Sequence, residues 1–310
     1  MKLGAGDPAY GVPGVSPFIN ENECIWARVR YRNLQQDANS GTAGFDEDAT
    51  GVSGGGQWAF GSAWYGGVSF GYENSEIDSN TSSQFNRLSS DGDRYRVGGS
   101  LKYIAGPWFV GGAISGGWSD FDSTRQISFP GFASVATSSQ DLQNVAGQLR
   151  VGYVMATAGA WYFKPVVDLN VTNVDMDGFT EKGGNGAALR VSSNDETVFS
   201  ATPALEIGTQ WGHPGGTLVR PYVRGGVSFY DDADFPIAAA FASAPGVAPF
   251  TTNGSIDDVL GDVSAGLSVL GAGGGVLTFS YDGRFGDTFQ ENSVSARASV
   301  PLGGRWSWWR

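Results

Sequence analysis

Residues 93–118 read DRYRVGGSLKYIAGPWFVGGAISGGW. Tyr95, Val97, Leu101 and Tyr103 share one parity, while Arg94, Arg96, Ser100 and Lys102 share the other. That period of 2 places successive side chains on opposite faces of a strand. After the tight Ala105-Gly106-Pro107 turn the alternation resumes, with Trp108, Val110, Ile114 and Trp118 set against Gly111, Ala113, Ser115 and Ser119. The stretch is a hairpin with one apolar, aromatic-rich face and one charged face. A fold for this chain must cover the apolar face.

Composition narrows the choice. The 310 residues include 48 Gly, 10 Trp, 11 Tyr and 19 Phe with only 16% charged residues, a mixture that favours many short strands and turns over helices. No run of 18 or more apolar residues is present, so no helical membrane span is predicted. The mean hydropathy of -0.16 is near neutral, which is also what a transmembrane barrel shows, because only every second residue meets lipid. A net charge of -12 argues against a nucleic-acid partner, since phosphate binding needs a basic surface. Cys24 is the single cysteine, so neither an intramolecular disulfide nor a thiolate metal cluster is possible. The opening MKLGAGDPAYGVPGVSPF lacks the apolar core of a secretory signal, and the expectation is that one was removed or that the chain is a fragment of something longer.

Residues 1–23 carry Pro8, Pro13 and Pro17 among glycines and are expected to be irregular. Beyond them the alternation repeats twelve times. Strand one opposes Ile25, Ala27, Val29 and Tyr31 to Arg28, Arg30 and Arg32, and strand twelve opposes Val294, Ala296, Ala298 and Val300 to Ser295, Arg297 and Ser299. Connections after strands one, three, five, seven and nine read as long and polar: 35–48, 74–92, 120–141, 175–195 and 231–257. Those after two, four, six, eight and ten are short. Transmembrane barrels have this asymmetry. Pro165, Pro203 and Pro221 fall inside strands, where each removes a ladder donor, and placement at strand ends or bulges would soften that cost.

Charge follows the same parity. Twelve of the 19 basic residues sit inside strands on the polar face: Arg28, Arg30, Arg32, Arg94, Arg96, Lys102, Arg150, Lys164, Arg220, Arg224, Arg284 and Arg297. Asp168, Glu206 and Asp282 share that face, and most other acidic residues fall in the long connections. The expected result is a basic interior under an acidic rim. An arginine on the lipid side at midplane would cost about 2–4 kcal/mol, which fixes the parity. The opposite face carries Tyr95, Tyr103, Trp108, Trp118, Trp161, Phe163, Phe279 and Tyr281, expected to face lipid.

Catalytic chemistry finds little footing. His213 is the sole histidine and sits in a Pro-Gly turn without convergent partners. Asp231-Asp232-Asp234 and Asp257-Asp258 lack EF-hand spacing and read as solvated loop acids. The Gly-Gly-Gly runs at 54–56 and 273–275 precede no helix and are not nucleotide loops. No catalytic residue, metal site or cofactor is expected. The arginines admit two readings: they pair with Asp168, Glu206 and Asp282 to fill the interior, or they line the path of whatever enters it.

From Cys24 to Leu302 the sequence resembles the C-terminal β-barrel (translocator) domain of autotransporters, the type V secretion proteins of Gram-negative bacteria. The resemblance rests on WARVRYR (26–32), GVSGGGQWAFG (51–61), AWYGGVSFGYE (63–73), RPYVRGGVSF (220–229) and FSYDGRFGD (279–287), in that order. It implies an all-β, 12-stranded antiparallel transmembrane β-barrel in the bacterial outer membrane. It also implies a passenger polypeptide carried to the cell surface, with an α-helical linker left in the lumen. Twelve strands leave a lumen wide enough for about one helix or extended hairpin. The implied partners are outer-membrane lipid and lipopolysaccharide, the passenger and the outer-membrane assembly machinery, around a monomer that is not an enzyme. The family usually ends on an aromatic residue read by that machinery, whereas here strand twelve closes at Leu302 and GGRWSWWR (303–310) follows. Residues 1–23 are then a linker remnant, 24–302 the barrel and 303–310 a Trp/Arg tail of interfacial character. Two other readings remain open: an outer-membrane channel or surface-binding barrel with acidic extracellular loops, and a soluble β-sandwich or lectin-like enzyme.

Overall fold

The computed structural model describes residues 22–38, 44–80, 86–157, 159–213, 215–231 and 234–302. The expectations for residues 1–21 and for the 303–310 tail lie outside these. Twelve strands form the main body: β1 (Cys24–Gln36), β2 (Phe45–Phe60), β3 (Trp64–Ser79), β4 (Asn86–Ala105), β5 (Trp108–Phe129), β6 (Phe132–Tyr153), β7 (Trp161–Met176), β8 (Asn194–Thr209), β9 (Leu218–Asp231), β10 (Val259–Leu270), β11 (Val276–Phe285) and β12 (Phe289–Pro301). Each pairs antiparallel with its neighbours in sequence, and β1 pairs with β12 from Cys24 opposite Pro301 to Gln36 opposite Phe289. The sheet is a closed barrel.

Closure leaves the apolar parity facing outward. Phe70 and Ile114 are each 64% exposed, and Tyr95, Tyr103, Trp108, Trp118, Trp161, Phe163 and Phe279 are exposed on the same outer face. Tyr281 is half-buried, with its hydroxyl donating to Asn292 Oδ1 at 2.7 Å. Outward aromatics gather in two bands. At the short-turn end the Trp64 and Tyr103 rings lie 4.7 Å apart and those of Trp108 and Tyr153 4.8 Å apart, while higher up Tyr72, Tyr95 and Trp118 follow one another at 5.4 and 5.7 Å. Trp108 and Trp118 stand ten residues apart on β5, the number a tilted strand needs to cross a bilayer core.

The strands run further than the hydropathy pattern indicates. β4 has 20 residues and β5 and β6 have 22 each, so the polar stretches 74–79 and 86–92, and 120–141 on either side of the Pro130-Gly131 turn, are hydrogen-bonded ribbon. Beyond the bilayer both faces of a ribbon meet water, and the apolar half of the alternation disappears while the ladder continues. The β5–β6 ribbon ends in a two-residue Pro130-Gly131 turn with Gly131 at φ 83°, as a type II turn requires, and Phe129 stacks on Phe132 at 4.7 Å. The connections at 175–195 and 231–257 also fold. Phe179–Thr180, Leu189–Val191, Asp234–Phe241 and Phe250–Ser255 make a separate four-stranded antiparallel sheet. Lys182–Gly183 ties this cap to Thr137 and Ala136 of β6, and Arg125 of β5 donates to both carboxylate oxygens of Glu181 and to Ala187 O.

All three strand prolines sit where a ladder is interrupted. Pro165 pairs with Leu205 but lies in the gap where β6 pairing stops at Gly152; Pro203 pairs with Val167 and falls between the Ala201 and Ala204 contacts to β9; Pro221 pairs with Leu267 while β8 pairing stops at Tyr222. The missing donor points into each gap.

Glycine has a specific use inside the barrel. Phe109 lies against Gly152, Phe121 against Gly92, Tyr162 against Gly208 and Tyr222 against Gly266, each a directly opposed cross-strand pair. A Cβ at Gly208 would stand 2.5 Å from the Tyr162 ring, which is only 3% exposed. Gly208→Ala is therefore expected to cost about 1–3 kcal/mol through overpacking. At Gly225 a Cβ meets nothing within 4 Å, so Gly225→Ala is the neutral control. Denaturant midpoints of the two variants in lipid vesicles check the difference; equal midpoints would contradict the packing account.

Just above the upper aromatic band, Asp93, Asp120 and Asp141 stand opposite one another on adjacent strands. Desolvation and the hydrogen bond and charge of Asp141 hold the Asp120 carboxyl above its ordinary value. The folded state thus binds this proton more tightly than the unfolded one, so the penalty is absent below the unfolded value of about 4 and complete once pH passes the raised folded value. Asp120→Asn is expected to raise the unfolding midpoint at pH 7 and to leave it unchanged near pH 3.

Candidate functional site

The inward parity encloses a cavity of about 410 Å³. Its wall includes Trp26, Arg28, Arg30, Arg94, Arg96, Lys102, Arg150, Lys164, Glu206, Tyr222, Arg224 and Arg297. These side chains come from seven of the twelve strands, and the cross-strand register brings them together. Five of the anticipated interior residues, Arg32, Asp168, Arg220, Asp282 and Arg284, face inward without reaching this cavity. Asp168 lies beneath its partners, Arg220 is 1% exposed near the short turns with Nε and Nη2 donating to Gln210 Oε1 at 3.0 and 2.7 Å, and Asp282 accepts from Ser264 Oγ at 2.6 Å. Arg284 sits toward the long-strand end, donating to Tyr230 Oη at 2.8 Å and to Glu291.

Ion pairs organise the wall into clusters. Arg32 reaches Glu47 and Glu73 at 3.0 and 3.1 Å, and Arg94 reaches the same two carboxylates at 2.6 and 3.1 Å, so four charges bridge β1 to β4. Ser75 Oγ also donates to Glu47. On the opposite side Asp168 accepts from Arg150 Nε and Nη2 at 2.5 and 2.7 Å and from Arg224 Nη2 at 2.6 Å. Arg224 on β9 crosses β8 to reach Asp168 on β7, because the β8 residue opposite Asp168 is the small Thr202. Lys164 pairs with Glu206 at 2.5 Å, and Tyr162 Oη donates to the same carboxylate at 2.8 Å. Glu291 takes Arg284 at 2.5 Å and Arg30 at 3.4 Å.

Three of these carboxylates, Glu47, Glu73 and Glu291, were not among the residues singled out from sequence. β2 begins at Phe45 and β12 at Phe289, earlier than the apolar alternation indicates, so Glu47 and Glu291 read as loop. Glu73 was findable: it continues the Ser69, Gly71 parity of β3 one step past Tyr72. Asp257, weighed above as a loop acid, clasps the β11–β12 turn by accepting from Thr288 N, Thr288 Oγ1 and Phe289 N at 2.8, 2.8 and 3.1 Å. Asp232, of the Asp231-Asp232-Asp234 group, lies outside the described residues.

Toward the short turns Ile104, Phe109, Tyr162, Val154 and Val166 pack as a cluster joined by Tyr65. Lys164 Nζ stands 5.8 Å from the Phe109 ring and 5.9 Å from that of Tyr162. Asn22, at the same end, offers its carbonyl to the lumen-facing Gln57 Nε2 at 3.1 Å.

Asp168 is 4% exposed and shared by two guanidinium groups. Asp168→Ala leaves both cations buried without it and is expected to cost about 3–5 kcal/mol. Arg150→Met introduced with it should recover part of that loss. Unfolding midpoints of the single and double variants check the coupling, and strictly additive losses would refute it.

The Autotransporter beta-domain family model matches residues 25–282. Among characterised proteins, the chain is 25% identical over 280 residues to Esterase EstA of Pseudomonas aeruginosa and, equally, to Esterase EstA of Pseudomonas putida; the matches cover 87% of this chain and 41% of each esterase. Among solved structures it is similar to the β domain of the Bordetella autotransporter Brka (TM-score 0.66, 18% identity, covering 91% of this chain and 100% of that one). The translocator domain of NalP from Neisseria meningitidis gives a TM-score of 0.69 at 13% identity, covering 91% and 89%. The transport unit of AIDA-I from Escherichia coli gives 0.60 at 12%, covering 89% of each. At these identities the structural likenesses speak for the fold, and the family match carries the assignment. The chain belongs to the autotransporter β-domain family, and its barrel is an outer-membrane translocator barrel.

Proposed function

We propose that this barrel carries a passenger polypeptide through its lumen to the cell surface and contributes no catalytic group of its own. The observation that carries this reading is the combination of family membership with a water-accessible interior lined by paired and unpaired cations. A hydrated, charged wall offers a polypeptide transient hydrogen bonds without an apolar surface on which to collapse. The chain spans about 41% of the length of the esterases it matches, and the aligned 280 residues correspond in extent to the barrel. On this reading ester hydrolysis belongs to those proteins and not to this chain. His213, the sole histidine, sits in the turn between Gly212 and β9, and its backbone N–H donates to Thr217 O at 2.8 Å.

On this reading residues 24–302 form the translocator unit, 1–23 join it to the transported segment, and 303–310 form an interfacial tail. The outward aromatic bands and acidic rim meet the outer-membrane lipid and lipopolysaccharide, the twelve strands are inserted by the outer-membrane assembly machinery, and the barrel works as a monomer. The named wall residues from Arg28 to Arg297 line the transport path, and the outward aromatics from Tyr95 to Tyr281 contact lipid.

A protease-sensitive reporter fused ahead of residue 1 behind a signal peptide tests the reading. Expression in a Gram-negative host is expected to render the reporter sensitive to external protease, with the purified 310-residue chain inert toward p-nitrophenyl esters. A folded, membrane-inserted barrel whose reporter stays protected in the periplasm would overturn transport; ester turnover by the chain alone would overturn the non-catalytic assignment.

A further inference from the structure

The acids of the lumen wall are engaged by particular cations. Glu47 and Glu73 are shared by Arg32 and Arg94, Asp168 by Arg150 and Arg224, Glu291 by Arg284 and Arg30, and Glu206 is held by Lys164 and Tyr162. Arg28 and Arg96 form no ion pair with any described residue, and the buried Nε of Arg28 has no hydrogen-bond partner. Their surroundings hold further arginines as well as the carboxylates of Glu73 and Asp282. Arg28 stands directly opposite Arg297 across the β1–β12 seam, a like-charge cross-strand pair that is destabilising by itself. Arg297 is held over the Trp26 ring at 4.6 Å. Arg30 projects from the next inward position of β1, and its contact with Glu291 is long, at 3.4 Å.

Between these arginines the wall is hollow. Register places Arg28, Ser53, Gly71 and Arg96 in one row across β1, β2, β3 and β4. Three strand steps separate the arginine backbones, roughly 14 Å, with only Ser53 and Gly71 between them. The row below runs Trp26, Gly55, Ser69 and Gly98 on β1 to β4, with the Trp26 ring lying against Gly55 and no bulk at the two positions beyond it. All of these arginines, with Ser53, Ser69, Gly71 and Gly98, line the cavity. The result is a recess floored by hydroxyl groups and backbone, flanked by the guanidinium groups of Arg28 and Arg96, with Arg30 and Arg297 beside them.

We propose that Arg28, Arg30, Arg96 and Arg297 form an oxyanion-binding site over this Gly/Ser recess, taking phosphate or carboxylate groups. Guanidinium presents a planar fork of donors matched to two oxygens of such a group, and a bound anion neutralises the Arg28–Arg297 repulsion. Two sources offer that chemistry: a free polyvalent oxyanion in the water-filled barrel, and acidic side chains of a polypeptide within it. The site goes beyond polypeptide passage and does not depend on it, because binding is measured on the isolated barrel.

Calorimetric titration of the folded 310-residue chain in detergent, at constant chloride, with inorganic pyrophosphate in one arm and a hexaglutamate peptide in the other, tests the site. Saturable binding is expected in at least one arm, weakened tenfold or more in R28Q/R96Q and less in R28K/R96K, which keeps the charge but loses the fork. Pyrophosphate binding alone identifies the free anion as the source, and peptide binding alone identifies polypeptide carboxylates. Heat-modifiable gel migration reports whether each variant is folded; if the double variant is not, Arg96→Gln alone is titrated. Absence of saturable binding in both arms, or equal binding by a folded glutamine variant, overturns the proposal and leaves the surface-display result untouched.

Discussion

In a bilayer core no water is present to hydrogen-bond a free backbone N–H or C=O, and each unmet group costs several kcal/mol. The barrel follows from that constraint. Pairing of β1 with β12 along thirteen residue pairs removes both sheet edges, so every spanning strand has two neighbours. The same constraint accounts for the prolines: Pro165, Pro203 and Pro221 each pair on one side and face a ladder interruption on the other. It also accounts for the glycines opposite Phe109, Phe121, Tyr162 and Tyr222, which let an inward ring lie flat on the neighbouring strand without parting the backbones.

Once the barrel closes, the charged parity has a single place to go, and its charges must be matched across strands. The Arg32–Glu47–Arg94–Glu73 and Arg150–Asp168–Arg224 clusters do this by spanning several strands each. Such shared partners resist the loss of any one strand, because removing a carboxylate strands two cations instead of one. The arrangement is uneven around the circumference. Surplus positive charge gathers at the β12–β1–β4 side, beside the smallest wall residues, and that unevenness gives the lumen a chemical direction.

The membrane-embedded part was almost fully legible in the chain. Arg94, Arg96 and Lys102 alternate with Tyr95, Val97 and Tyr103 because one face must be dry and the other wet, and no second chain segment is apolar enough to cover twelve such faces. Outside the bilayer that contrast vanishes. Residues 74–79, 86–92 and 120–141 lose the regular apolar alternation yet continue as ribbon, since backbone pairing persists where side chains no longer report it. Glu47 and Glu291 were hidden for this reason. The cap built from 179–191 and 234–255 had no signal in periodicity, because its strands are short and its pairing joins segments about 50 residues apart.

Sequence by itself determined the strand number, the inward and outward parity, the short-turn end and the family resemblance, all of which depend on side chains close along one chain. Tertiary structure alone decided which charges meet. Arg28 opposes Arg297 and Arg30 reaches Glu291 only because closure brings residues more than 260 positions apart into register. Pairing across a seam depends on barrel register, a property of the whole ring of hydrogen bonds, and no local pattern encodes it.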